Sequence, residues 1–128
     1  MPVLHVTLLK GKTEAWLAAV SSSIQRALVE AFEVPEADLF QVFHEQDKSA
    51  LRFDRHYMAG PRSDDWLLIE ITAGKPRSIE TKQRFYRVIT EQLAGSPGIH
   101  PNDVMVVIRH NNAEDWSFGG GKASLLPE

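Results

Sequence analysis

The feature that most limits how this chain can fold is an apolar pattern that is written twice. In residues 3–9, Leu4, Val6 and Leu8 alternate with His5 and Thr7, the period-two pattern of a strand with one buried face. Gly11 breaks the run and Thr13 is placed to cap a helix. Leu17, Val20, Ile24, Ala27, Leu28 and Ala31 then recur at helical spacing until Pro35 forbids continuation. Residues 39–45 read as a second strand. The same order then returns. Residues 66–72 form a Leu- and Ile-rich strand, Gly74 and Pro76 break it, and Ser78 caps a helix. Phe85, Tyr86, Ile89 and Leu93 mark that helix's buried face, Gly95, Pro97 and Gly98 end it, and residues 104–108 make the last strand. Gly11-Lys12 aligns with Gly74-Lys75, and Asp38 with Asp103, at an offset of roughly 63–65 residues.

The repeat predicts two consecutive βαβ units, 1–62 and 63–128, within a single domain of 1–128. Each crossover is expected to be right-handed with parallel strands. The outcome is an α/β fold, a four-stranded sheet with two helices on one face. Nothing in the pattern covers the other face. That predicts an apolar surface satisfied by a homo-oligomer. Residues 47–65 read as a long loop in which Leu51 and Phe53 form a short extra strand. The tail, 111–128, holds Trp116, Phe118 and three consecutive glycines, and reads as a short hairpin or a segment laid over a neighbour or a site.

Composition removes several classes of function. A net charge of −3 over 128 residues is too weak to recruit nucleic acid or an anionic membrane. With no cysteine there is no disulfide, thiolate metal site or cysteine nucleophile. No apolar run approaches the ~20 residues of a membrane helix, and no secretory leader is recognisable, so the expected location is the cytoplasm. His5, His44, His56, His100 and His110 lack metal-ligand spacing, and no nucleotide-binding glycine motif is present. Neither metal nor cofactor is expected.

Four groups of residues carry candidate chemistry. The chain begins Met-Pro, and removal of the methionine leaves Pro2 with a secondary amine. A chain-terminal amine titrates near about 7.7–8.0, so it serves as base or cation according to its surroundings. Lys75-Pro76-Arg77-Ser78 lies between a buried strand and a helix start, where free N–H groups, the helix dipole and a guanidinium fork favour a carboxylate. Asp38 sits in the connection leaving the first helix. Asp115-Trp116-Ser117-Phe118-Gly119 places two aromatics in a tail that must bury them against something.

Pro2, Pro35-Glu36-Ala37-Asp38-Leu39-Phe40-Gln41-Val42, Lys75-Pro76-Arg77-Ser78 and Asp115-Trp116-Ser117-Phe118-Gly119, in that order, resemble the tautomerase superfamily over nearly the whole chain. Within it the resemblance is strongest to the malonate semialdehyde decarboxylases. It implies that Pro2 is the catalytic amine and that Arg77 binds the substrate carboxylate. Asp38 would assist decarboxylation or orient water, and Trp116 and Phe118 would wall the pocket. It also implies a homotrimer and a small carboxylate-bearing carbonyl substrate. Two positions depart from the decarboxylase pattern. Lys75 replaces an arginine, which keeps the charge and loses the fork, and Leu125 replaces a pocket aromatic. Three functions follow from these residues: decarboxylation of a small 3-oxo acid, keto–enol tautomerisation of a 2-oxo or enol acid by the same groups, or non-catalytic ligand binding by an oligomer.

Overall fold

The computed structural model describes residues 2–128. Its elements are β1 (Pro2–Leu9), α1 (Glu14–Ala31), β2 (Gln41–Gln46), β3 (Leu67–Ala73), α2 (Ile79–Gly95) and β4 (Val104–His110). The sheet order is β2-β1-β3-β4. β1 pairs with β2 and β3 with β4 in parallel, whereas β1 and β3 meet antiparallel. Two βαβ units are therefore joined along one central antiparallel seam. β2 starts two residues later than the sequence pattern suggests, and β4 runs two residues further.

Both helices start where the sequence places a cap. Thr13 Oγ1 accepts the Trp16 N–H at 3.1 Å, and Ser78 Oγ accepts that of Thr81 at 3.1 Å. The core lies between the helices and the sheet. Leu4, Val6 and Leu8 of β1 and Leu67, Ile69 and Ile71 of β3 meet Val20, Ile24, Ala27 and Leu28 of α1 and Phe85, Ile89 and Leu93 of α2. Each such side chain contributes about 1.5–3 kcal/mol by leaving water. Phe32, just past α1, packs on Phe85 with ring centroids 4.7 Å apart. Tyr86 departs from the expected buried face. It is 39 % exposed, while Val88 is buried in its stead. One helical step of about 100° from Phe85 turns position 86 outward.

The second sheet face differs from the expected one. Strand alternation directs His5, Thr7, His44, Glu70 and Arg109 to it, among Val3, Val42, Leu68, Met105 and Val107. The face is mixed rather than apolar. A His5 Nδ1–His44 Nε2 hydrogen bond of 2.7 Å and an Arg109–Glu70 ion pair of 2.9 Å lie on it. The long connection after β2 forms no strand at Leu51 and Phe53. Phe53 instead stacks on Trp66, centroids 4.3 Å apart. This loop lines a shallow pocket with Leu68 and Met105, so it reaches one corner of the second face.

Buried Asp103 pins the end of the loop. Its carboxylate accepts the Ser63 N–H and the Ser63 hydroxyl, both at 2.6 Å, and Asn102 Nδ2 donates to the Gly60 carbonyl at 2.8 Å. Charge-assisted bonds out of water are strong. Asp103→Ala is expected to lower stability by about 1.5–3 kcal/mol in urea denaturation and to speed proteolysis within residues 47–65.

Candidate active site

The antiparallel seam fixes where the chain's beginning lies. Pro2 is buried and stands opposite Ala73, the last residue of β3. On its other side, Leu4 N–H donates to the Phe40 carbonyl at 2.9 Å, which leads the chain from Asp38 into β2. The start of β1 is therefore flanked by the exit of β3 toward Arg77 and by the entry to β2 from Asp38. Sequence separation is large on both sides; strand register closes it. Met1, and with it the expected removal of that residue, lies outside the described residues.

Arg77 is held more firmly than a surface loop residue would be. Nε and one terminal nitrogen donate to the Phe32 carbonyl at 3.1 and 3.0 Å, and the other terminal nitrogen donates to the Lys75 carbonyl at 2.5 Å. The guanidinium carbon lies 4.4 Å from the centre of the Phe32 ring. Phe32 caps the C-terminus of α1, whose last turn contains no basic residue, so Arg77 supplies the cation that the negative end of the dipole favours. Among the described residues, three of its five N–H groups are engaged in this way, which leaves two for a planar acceptor. Burial pushes its pKa below the ordinary value, and the carboxylates of Glu33 and Asp38 oppose that shift. A guanidinium remains charged there, and poor hydration strengthens its pull on an anion.

Asp38 is thus within electrostatic reach of Arg77. It is half-buried in a turn where its N–H meets the Pro35 carbonyl at 3.0 Å. Gln25 of α1 fastens the same turn, donating to the carbonyls of Glu36 at 3.3 Å and Asp38 at 3.0 Å. Lys75 is exposed at the mouth of the loop.

The tail is neither a hairpin nor loose. It folds back so that Trp116 and Phe118 stack at 5.5 Å, and Phe118 meets Phe40 at 5.9 Å. Trp116 lies directly on Gly74, where an added Cβ would come 2.6 Å from the indole nitrogen. Because Gly74 follows Ala73 and Phe40 lies beside the start of β1, the aromatic arc Trp116–Phe118–Phe40 spans the strand end that carries Pro2. Ser124 Oγ accepts the Phe118 N–H at 2.9 Å, which returns the tail toward the arc. Leu125 follows, half-buried in a turn closed by the Leu126 N–H on the Ala123 carbonyl at 3.1 Å. Its place in a pocket wall rests on the resemblance.

This geometry has close counterparts. A family model described as "Tautomerase enzyme" matches residues 38–119. The chain belongs to the tautomerase family. Two Bacillus subtilis (strain 168) relatives named probable tautomerases, YusQ and YrdN, are 34% and 33% identical to it. The alignments cover 98% of this chain in both cases, with 99% and 97% of the relatives. Among solved structures, malonate semialdehyde decarboxylase superposes with a TM-score of 0.91 at 32% identity, covering 96% of this chain and 95% of its own. A second malonate semialdehyde decarboxylase, inhibited by 3-bromopropiolate, gives 0.88 at 32% identity, covering 95% and 92%. Members of this family are enzymes, and so is this protein; the non-catalytic reading is set aside. No helix among the described residues is long and apolar enough to cross a membrane.

Three residues of the candidate site were given no role in the sequence reading. Phe40 read as strand and as part of the motif stretch around Asp38, although an aromatic two residues after Asp38 and just before an edge strand, 49 % exposed, carries a signal of its own. Gln25 and Asn111 are polar residues on a helix and at a strand end, with nothing in their spacing to mark them. The double use of Arg77 also has a consequence for stability. Arg77→Ala is expected to cost about 1–2 kcal/mol in chemical denaturation without any substrate, through the uncapped end of α1. Arg77→Lys should recover less than half of that, because one ammonium does not reproduce the fork.

Proposed function

We propose that this tautomerase-family enzyme is a cofactor-free decarboxylase of a small 3-oxo acid, of the malonate semialdehyde type, with Pro2 as its catalytic amine. The observation that carries the reading is the gathering of Pro2, Asp38, Arg77 and an aromatic arc at one end of the sheet. It occurs in a fold that superposes on a malonate semialdehyde decarboxylase with a TM-score of 0.91. Arg77, assisted by Lys75, holds the substrate carboxylate. The C–C bond to that carboxylate breaks, CO2 leaves, and the electron pair moves onto the carbonyl carbon's oxygen as an enolate. A protonated Pro2 donates a hydrogen bond to that oxygen. The enolate carbon then takes up a proton to give the aldehyde. Trp116, Phe118 and Leu125 wall the pocket and favour neutral CO2 over the charged carboxylate. Asp38 keeps the amine protonated or orients water. Three copies assemble with the second sheet faces inward. A fused 4-OT of the same fold, described as a symmetric trimer, supports the count of three copies.

The second reading is keto–enol tautomerisation of a 2-oxo or enol acid. It is favoured by the names of the Bacillus subtilis relatives and by Lys75, which lacks the fork. Here Pro2 must be neutral to remove a proton from carbon.

The two readings differ in the sign of the pH response. Protein whose intact mass shows loss of Met1 is incubated with 3-oxo and 2-oxo acids, following CO2 release and proton exchange separately. Decarboxylation predicts CO2 from 3-oxo acids and a kcat/KM that falls as pH rises through the amine pKa. Tautomerisation predicts proton exchange and a kcat/KM that rises. Pro2→Leu, whose larger second residue keeps Met1 attached and makes the position-2 nitrogen an amide, should lower kcat by about 10²–10³-fold, the scale of losing one electrostatic donor. An unaltered rate in Pro2→Leu, with its intact mass showing Met1 retained, overturns both readings.

A further inference from the structure

The wall residue Trp116 is fixed by a neighbour to which no role has been given. Its indole N–H donates to Asn111 Oδ1 at 2.6 Å. Asn111 immediately follows β4, and its main-chain N–H donates to the Ala73 carbonyl at 3.0 Å. Ala73 is the residue opposite Pro2. One asparagine therefore ties two things together: its backbone extends the β3–β4 pairing to the strand position facing Pro2, and its side chain sets the indole above the next residue, Gly74. The fit at Gly74 is tight, since any Cβ there would lie 2.6 Å from the indole nitrogen and 3.1 Å from the adjoining ring carbon. Phe118 stacks on the same indole with planes only 13° apart and leads on to Phe40. The rotation of one ring thus governs the whole arc.

We propose that Asn111 is a positioning residue that acts through Trp116, and that Gly74 is the seat that its indole requires. Together they set how closely the aromatic wall approaches the Pro2 end of β1, and so the size of the small carboxylate accepted. The proposal rests on the reading of this strand end as the active site. Asn111→Leu keeps the main-chain bond to Ala73 and removes the acceptor. Asn111→Asp keeps the acceptor. Gly74→Ala keeps the acceptor and removes the seat.

The test uses full-length 15N-labelled protein with malonate as the probe. Trp16, Trp66 and Trp116 each give an indole N–H resonance, assigned by single Trp→Phe variants. In the parent protein, malonate is expected to shift the Trp116 resonance. In Asn111→Leu that resonance should move upfield and exchange faster with water, and malonate should bind roughly three- to tenfold more weakly, the scale of one neutral hydrogen bond. Asn111→Asp should restore the resonance position and slow exchange. Gly74→Ala should displace the resonance as well. Unchanged Trp16 and Trp66 resonances report an intact fold in each variant. In the turnover assay, Asn111→Leu should raise KM for the shortest oxo acids more than it lowers kcat. An Asn111→Leu protein whose Trp116 resonance, exchange rate and malonate affinity match the parent overturns the proposal. Malonate binding that shifts Trp116 in a protein turning over neither acid class overturns the assigned reaction and leaves the positioning role standing. If malonate moves Trp16 or Trp66 and not Trp116, the location of the site is wrong, and the proposal falls with it.

Discussion

The antiparallel pairing of β1 with β3 is the contact on which the rest of the molecule depends. It joins the two βαβ units, and its register sets Pro2 against Ala73. A slip of one residue would turn Leu4, Val6 and Leu8 out of the core and send His5 and Thr7 into it. With six large apolar side chains of the two central strands buried against the helices, such a slip is far too costly to be populated. The same force that makes the core thus delivers the chain's beginning to the loop carrying Lys75 and Arg77. Placement of the candidate amine is a by-product of packing.

Arg77 shows how one side chain can hold the fold together while lying at the candidate site. Its donors close the C-terminus of α1, and the same fixation leaves two N–H groups in a set direction. Arg84 does a related job, donating to the Glu30 carbonyl at 3.0 Å. Both come from α2 or the loop before it, and both meet the end of α1, whose last turn holds no cation of its own. Helix pairing therefore orients the candidate anion-binding group, and its partial burial strengthens its pull on any anion beside it. A flexible lysine in its place would keep the charge and lose the angle.

The two halves have also divided their labour. Lys12 of the first half pairs with Asp65 and lies over the Trp16 ring, whereas its counterpart Lys75 is exposed at the candidate site. Gly11 has open space around it and a φ of 115°, so its turn requires a glycine for backbone reasons. Gly74 is needed because Trp116 occupies the place of a Cβ. Asp103 is buried and holds the Ser63 end of the long loop, while Asp38 lies near Arg77. In each aligned pair one member anchors the fold and the other lies at the candidate site, and each half contributes one of each.

Much was legible in the amino-acid order because it depends on local periodicity. Strands, helices, both N-caps and the doubled βαβ plan follow from spacing and from Thr13, Ser78, Pro35 and Pro76, each acting within a few residues. Pro2, Asp38, Arg77 and Trp116 were recognisable by chemical type and order. Contacts between distant residues were not legible. The stacking of Phe53 on Trp66, the polar pairs His5–His44 and Glu70–Arg109 on the second sheet face, the capping of α1 by Arg77, and the seat of Trp116 on Gly74 all join residues brought together by strand register and helix packing. Periodicity says which face a side chain takes. Only the folded sheet decides what stands opposite it, because that choice is made by long-range pairing, which sequence spacing does not encode.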